Sequence, residues 1–414
     1  MTTPNRRDAL KLGLTAAALA AGLPARAQGA PIKIGAVLPI SGSLAVMSRD
    51  VLTGAEIAVD QINRSGGLLG RPVELVVRDD KGNPAETLAA VREFTGSGIN
   101  LTIGGILFNA VLAAIPALEQ TKSVMVTTGT IGMSLTHEKF SRNVFRANTN
   151  DYVQMRAMAE FAAQKYPNVD KWACIALDSE ALLTSWEIFK REAAQAYAKA
   201  GKKVEFVDAA VKAKFGAGDF KNQIAAVMSS GAKGLLSLIF GQDGITFYQQ
   251  ARPFGMTKKL DVIIDRGNEY PFAKALRGNI PENFWLITAW YPALYEKVPA
   301  AVSLHKDAIA RTKDPMPSGY VNNGHGPIMA LAAAVRAAGS TDTEAVIKAL
   351  ETIRFTAALG EARYRKEDHQ IITDINLIRI AAGDDGAPFK VADAIRVPTE
   401  NLLEPASPGV PFKF

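Results

Sequence analysis

Short apolar runs recur along this chain at intervals that leave room for one helix between neighbours, and that spacing restricts the fold more than any other feature. Ile32-Lys33-Ile34-Gly35-Ala36-Val37-Leu38 has the near-continuous apolar character of a largely buried strand. Pro39-Ile40-Ser41-Gly42-Ser43 turns the chain. Ala55, Ile57, Ala58, Val59 and Ile62 then recur at helical spacing, until Gly66-Gly67-Leu68-Leu69-Gly70 supplies a glycine-rich stop. Val73-Glu74-Leu75-Val76-Val77 reads as a second strand, Asp79-Asp80 as its solvated or helix-capping exit, and residues 84–96 as a second helix. Leu101-Thr102-Ile103-Gly104-Gly105 and Val124-Met125-Val126-Thr127 continue the alternation. Strands alternating with helices predict an α/β fold whose parallel-type sheet carries helices on both faces.

The pattern restarts after Asn148-Thr149-Asn150-Asp151. Strands are predicted at 172–177, 204–207, 234–239 and 260–264, with helices at 186–200 and 217–230 between them. Two successive α/β arrays imply two lobes of one topology. Leu286-Ile287-Thr288-Ala289-Trp290 reads as a later crossing, followed by helices at about 328–338 and 342–353. The tail after Glu400 holds prolines at 405, 408 and 411, which predicts an extended course over residues 401–414.

The first 27 residues read as an export signal. Arg6-Arg7-Asp8-Ala9-Leu10-Lys11 is followed by an uncharged apolar run to Leu23, then Pro24 and the small-residue cleavage pattern Ala25-Arg26-Ala27. The run is too short to span a bilayer. The paired arginines resemble a twin-arginine motif, with Asn5 where a hydroxyl residue is usual. Cleavage after Ala27 leaves 387 of the 414 residues, enough for two domains. It also removes four basic residues and one acid, so the formal charge falls from +6 to +3 and no basic run remains to bind nucleic acid. Cys174, the sole cysteine, lies in the strand-like Trp172-Ala173-Cys174-Ile175 and reads as a buried, inert thiol.

Catalytic signatures are absent from the sequence. The turn after the first strand lacks G-x-G-x-x-G, and neither a G-x-x-x-x-G-K-[ST] loop nor a G-x-S-x-G elbow occurs. His137, His305, His325 and His369 are isolated from one another and from Cys174, so no metal set is expected. His369 reads as a turn or interlobe hydrogen-bonding group. The reading is a binding protein, not an enzyme, with neither cofactor nor metal.

Several segments, weak singly but ordered and spaced together, resemble the periplasmic solute-binding proteins of branched-chain amino acid ABC transporters, the leucine/isoleucine/valine-binding family. They are Lys33-Ile34-Gly35…Pro39-Ile40-Ser41-Gly42, Gly54-Ala55-Glu56…Ile62-Asn63…Gly66-Gly67…Gly70 and Asp79-Asp80…Asn83-Pro84. Further on come Phe145-Arg146…Asn150-Asp151, Gln250-Ala251-Arg252…Gly255 and Leu359-Gly360…Tyr364-Arg365-Lys366-Glu367-Asp368-His369-Gln370. The resemblance implies the type 1 periplasmic binding fold, two Rossmann-like lobes joined by three hinge crossings near 148–151, 286–290 and 357–360. The first lobe would hold residues 28–149 with 286–358, and the second 150–285 with 359–400. It also implies a periplasmic location, a monomer, one small ligand between the lobes and permease subunits as partners.

The family's contacts carry over only where this chain aligns. On that basis the first lobe offers Met47, Phe108 or Asn109 at a hydroxyl position, Gly129 and Thr130, and Ile131 in place of a threonine. Tyr320 resembles a wall aromatic, and Asp151 at the first crossing joins the expected set. In the second lobe Leu182 and Phe240 replace pocket tyrosines, and the ammonium-binding carboxylate falls at Asp265 or beside it. Arg266 reads either as a surface ion pair or, pointing inward, as a carboxylate clamp that repels an ammonium. Phe108, Ile131, Leu182 and Phe240 suit a hydrophobic or aromatic organic acid, with a branched-chain or aromatic amino acid second; Phe108 and Phe240 also read as ordinary lobe packing. A soluble sensor of the same fold, reporting to a receptor or regulator, is the alternative function.

Overall fold

The computed structural model describes residues 29–413, and the export signal read in residues 1–27 lies outside them. The chain opens with β1 (Ile32–Leu38), α1 (Ala45–Arg64), β2 (Val73–Asp79), α2 (Pro84–Gly96), β3 (Leu101–Gly104), α3 (Phe108–Gln120), β4 (Val124–Thr127) and β5 (Val144–Phe145). Their strands form an all-parallel sheet in the order β2-β1-β3-β4-β5. Alternate residues of each strand feed opposite faces, as the pleat requires. Ala36 and Val126 meet Ala55, Ile62 and Leu331 on one side, while Val37 and Met125 meet Val91, Phe94, Val111 and Leu118 on the other.

The chain continues through α4 (Asp151–Lys165), β6 (Lys171–Leu177), α5 (Glu180–Lys199), β7 (Glu205–Phe206), β8 (Val211–Ala213), α6 (Lys221–Ser229) and β9 (Gly234–Leu238). Next come α7 (Gly241–Ala251), α8 (Met256–Lys259), β10 (Val262–Asp265), α9 (Tyr270–Leu276) and β11 (Phe284–Thr288). Helices α10 (Pro299–Thr312), α11 (Tyr320–Ala338) and α12 (Thr343–Leu350) precede a small antiparallel sheet of β12 (Phe355–Ala357), β13 (Gly360–Tyr364) and β14 (Ile371–Ile372). The hairpin β15 (Ile375–Ala381) and β16 (Lys390–Val397) completes the second large sheet, ordered β16-β15-β11-β10-β9-β6-β7 with β8 also beside β6. That sheet is parallel except for β15 and β16 at one edge. Cys174 is fully buried in its core, and burial pushes its thiol far above the ordinary value.

Three passages join the two large sheets. The first runs from β5 into α4, and the second leaves β11, after which Trp290 is buried with Ile57 and Val321. The third lies between Ile372 and Ile375, not at the expected 357–360: there Ala357 pairs with Gly360 in the β12–β13 hairpin. Phe355, Ala362, Tyr364 and Ile371 all join the core of the first sheet, so the stretch 359–372, expected with the second lobe, packs with the first. A glycine-marked turn at φ 88° reads alike in sequence whether it closes a hairpin or bends a hinge. The first and third passages lie side by side: Arg146 bridges Gln370, whose Nε2 donates to the Asn148 carbonyl at 2.8 Å. His369 stacks on Phe145 at 3.8 Å in the same place.

Residues 401–413 of the C-terminal tail have no helix or strand, yet they are docked as well as extended. Leu402 and Glu404 are buried, Asn150 Nδ2 donates to Glu404 Oε1 at 2.6 Å, and the Gly409 N–H donates to the His137 carbonyl at 2.7 Å.

Helix α11 starts eight residues earlier than the sequence pattern indicated, despite Pro327 inside it. The missing N–H costs one helical bond, but the glycines here let α1 and α11 touch backbone to backbone. A Cβ on Gly54 would lie 1.7 Å from the Val321 carbonyl oxygen, and one on Gly324 1.8 Å from that of Val51. Gly54→Ala or Gly324→Ala must push the helices apart. The expected loss is about 1–3 kcal/mol, read as a lower denaturant midpoint at unchanged slope; an unaltered midpoint contradicts the close approach.

The second passage is tied by a buried acid. Glu269 accepts from Thr288 Oγ1 and the Ala289 N–H, each at 2.8 Å, and from the Gly319 N–H at 3.2 Å. Burial pushes its carboxyl up to about 7, against those hydrogen bonds. The folded value exceeds the unfolded one, so its stabilising contribution is complete below the unfolded pKa, about 4.3, and is lost as pH rises toward 7. Glu269→Gln should flatten this dependence, removing on the order of 3 kcal/mol of the stability change between pH 4 and pH 8 in chemical denaturation. Parallel pH profiles for the two proteins would contradict it.

Candidate ligand-binding cleft

In open parallel sheets, ligands meet the carboxyl ends of the strands, where loops and helix N-termini expose unpaired N–H groups. In the first sheet those ends are the loops after β1, β3 and β4. The Thr128 N–H donates to the Gly104 carbonyl at 2.8 Å, and Gly129 packs on Ile106, so the last two loops form one ledge. Helix α3 leaves this ledge at Phe108 without a side-chain cap, as do α5 at Glu180 and α7 at Gly241 in the second lobe. By contrast Asn83 and Asp342 cap α2 and α12.

Three hydroxyls near the first sheet's loops are buried with no hydrogen-bond partner among the described residues: Ser48 Oγ, Thr128 Oγ1 and Thr130 Oγ1. Such orphaned groups carry a desolvation cost that a ligand oxygen can relieve. Of these, the sequence pattern named only Thr130. Ser48 and Thr128 stand next to Met47 and Gly129, which the resemblance named.

The other expected residues fall into distinct settings. Met47 is half-buried against the first core. Phe108 is half-buried and its ring rests on Gly132, where a Cβ would come within 2.8 Å, while Asn109 is exposed. Gly129 and Ile131 are half-buried, and Leu182 is buried in the second core. Phe240 rests on Gly267 and meets the exposed Phe215 edge-on at 6.2 Å. Half-buried Tyr320 donates to the Gly267 carbonyl at 3.4 Å, and burial, with Glu269, Asp265 and Asp50 nearby, raises its hydroxyl well above the ordinary value.

Ile131, Asp151 and Arg266 are brought together. The Asp151 N–H donates to the Ile131 carbonyl at 3.1 Å, and the Asp151 carboxylate forms an ion pair with Arg266 Nη1. Both side chains are about 5% exposed, so this is a buried pair and not a surface one. Ser185 Oγ also donates to Asp151, at 3.0 and 2.8 Å. Burial raises the Asp151 carboxyl, opposed by Arg266 and Ser185.

Asp265, the other candidate, turns away. It is fully buried and accepts from the Gly267 and Asn268 N–H groups, Asn268 Nδ2 and Tyr248 OH. Burial lifts its carboxyl to about 6. At the base of the cleft Arg146, which the motif contained without a role, donates to the Ile131 and Gly132 carbonyls. Burial lowers its guanidinium to about 10, opposed by Glu404, Asp368 and Asp151, so it stays charged at neutral pH.

A periplasmic binding protein family model matches residues 31–387. A leucine/isoleucine/valine-binding protein homologue of Brucella melitensis is 34% identical over 137 residues, which is 33% of this chain and 37% of that protein. The chain thus aligns with little more than a third of that relative, and with 41% of the next. The leucine-, isoleucine-, valine-, threonine- and alanine-binding protein of Pseudomonas aeruginosa is 24% identical over 80% of this chain and 84% of its own length. A solute-binding protein of an ABC transporter from Rhodopseudomonas palustris, solved with 3,4-dihydroxybenzoic acid, shares the fold with a TM-score of 0.75. It is 17% identical and overlaps 89% of this chain and 98% of its own. With the family model spanning the first large sheet, the second except β16, and all three passages, the chain belongs to the periplasmic binding protein family.

Proposed function

We propose that the protein is the extracytoplasmic substrate-binding component of an ABC importer. It closes two lobes on one small solute with an apolar body and a carboxylate. That solute is a hydrophobic or aromatic organic acid, or a branched-chain or aromatic amino acid. The observation that carries this reading is the set of orphaned hydroxyls, Ser48, Thr128 and Thr130, beside the uncapped start of α3. A carboxylate accepts from such donors, and a helix N-terminus adds about 0.3–1 kcal/mol for an anion. A micromolar ligand needs about 8 kcal/mol in all, so apolar burial at roughly 25 cal/mol per Å² must supply much of the rest. Phe108, Ile131 and Phe240, all half-buried, offer that surface. The relatives' names, leucine, isoleucine and valine on one side and a dihydroxybenzoic acid on the other, support both ligand types.

The first lobe comprises residues 29–149 with 289–372, and the second 150–288 with 375–397. Export through the Arg6-Arg7 signal with cleavage after Ala27 delivers the chain outside the cytoplasmic membrane, where it works as a monomer with its permease subunits. No helix among the described residues is long and apolar enough to cross a membrane, and no metal-binding cluster is found among them.

Ligands are identified by melting the mature protein with a panel of acids, amino acids and sugars. A true ligand at 100 times its Kd adds about 2.7 kcal/mol; a panel in which only sugars shift the transition rejects the carboxylate reading. Thr128→Val and Thr130→Val each remove a buried donor that has no partner without ligand. Each variant should bind the ligand about tenfold more weakly, equivalent to about 1.4 kcal/mol, while its unliganded melting temperature stays level or rises. Calorimetric titration and melting curves check the pair; unchanged affinity with a lower melting temperature would assign the hydroxyls to the fold alone.

A further inference from the structure

Arg266 lies between the two halves of the proposed site. Its backbone follows β10, its guanidinium reaches Asp151, and Asp151 in turn bonds the Ile131 carbonyl beside Thr130. On its other side Gly267 takes the Tyr320 hydroxyl. Through Asp151 the side chain is linked to the first-lobe loop that carries Thr128 and Thr130, though it belongs to the opposite lobe. It is about 95% buried, and of its five guanidinium N–H donors one engages Asp151. Its remaining donors make no bond with any described residue.

The acids around it are already engaged. Asp151 accepts from Arg266 and Ser185, and Asp265 from two backbone amides, Asn268 and Tyr248. Glu269 is used by Thr288, Ala289 and Gly319, and Asp243 accepts from the Gly216 N–H. Asp50 faces Ser318, with Lys274 and Asp314 near. An α-ammonium group entering here would meet a guanidinium, with Asp151, Asp265 and Glu269 each already accepting from two or more donors. A carboxylate or carbonyl oxygen would meet unused donors in a fork suited to it.

We infer that Arg266, anchored by Asp151, is the specificity-determining residue of the second lobe, admitting organic acids and rejecting α-amino acids. The inference rests on the proposed carboxylate-binding cleft and narrows it to one of the two ligand types.

Calorimetric titration of the mature protein with matched pairs tests it: 3-phenylpropionate against phenylalanine, 4-methylpentanoate against leucine, with benzoate as a third acid. At least one acid should bind tenfold or more tightly than its amino acid. Arg266→Gln should weaken the acid at least tenfold and bring the paired ratio within threefold. Arg266→Lys, which keeps the charge without the fork, should retain the preference at reduced affinity. Asp151→Asn, which removes the anchor of the guanidinium, should weaken acid binding and narrow the paired ratio in the same direction as Arg266→Gln. A merely structural ion pair would lower the melting temperature of all three variants without moving the acid-to-amine ratio, and that result overturns the inference. Amino acids binding as well as or better than their acids overturn it while leaving the cleft reading intact. Failure of every acid and amino acid to bind overturns the cleft reading, and the inference with it.

Discussion

The structure depends on a buried charge set where the chain first passes between its lobes. Arg146 is 1% exposed and lies at the end of the first sheet, and Asp151 opens the first helix of the second lobe. Arg146 holds the Ile131 and Gly132 carbonyls, while the Asp151 N–H holds Ile131 from the other side. One loop of the first lobe is therefore fixed to both ends of the passage. Removing one partner of a buried charge pair strands the other in a poor solvent, typically at 3–5 kcal/mol. The loop that presents Thr128 and Thr130 consequently cannot drift from the passage without breaking bonds that the fold needs.

The tail and the third passage reinforce the same point. Gln370 ties one passage to the other, Arg365 pairs with Asp368 and donates to the Glu404 carbonyl, and the Glu404 carboxylate accepts from Asn150. On the proposed function, motion of one lobe against the other would pivot at all three passages, near 146–151, 288–290 and 370–374. Hinge closure of this kind needs only a few residues to absorb the backbone change.

Much of the first sheet and most parallel strands of the second could be read from apolar runs, because strands buried on both faces leave an unmistakable pattern. The strand 32–38 and the helix 84–96 match residue for residue. Not foreseen are helices α3, α4, α7, α8, α9 and α10, strands β5, β8 and β12 to β16, and the first turns of α11 across Gly324 and Pro327. At the candidate site, the resemblance pointed to Thr130, Ile131, Asp151 and Arg266 by position. It did not supply Ser185, Arg146 or Glu269, whose roles rest on partners 34, 15 and 50 residues away along the chain. Nor did it decide between Asp265 and Arg266. A one-residue change of register at a strand end exchanges inward and outward faces, and only the bonds from Gly267 and Asn268 show which way Asp265 turns.

Besides the buried bond from the Gly319 N–H to Glu269, the contacts that join the lobes across the cleft are weak. Across the cleft rim Tyr320 reaches the Gly267 carbonyl at 3.4 Å, and Lys274 pairs with Asp314, each about 30% exposed. A half-exposed ion pair is worth about 0–1 kcal/mol, and a long neutral hydrogen bond no more than about 1 kcal/mol. Carrying a two-state equilibrium from 1:99 to 99:1 takes about 5.5 kcal/mol of differential binding. A micromolar ligand binds with about 8 kcal/mol in all, and only the part of it gained on contact with both lobes shifts the equilibrium. A solute that met only the hydroxyls of the first lobe would bind open and closed forms alike and shift nothing. On the proposed function, the second-lobe contact is therefore what would convert capture into a change of shape that a permease can read.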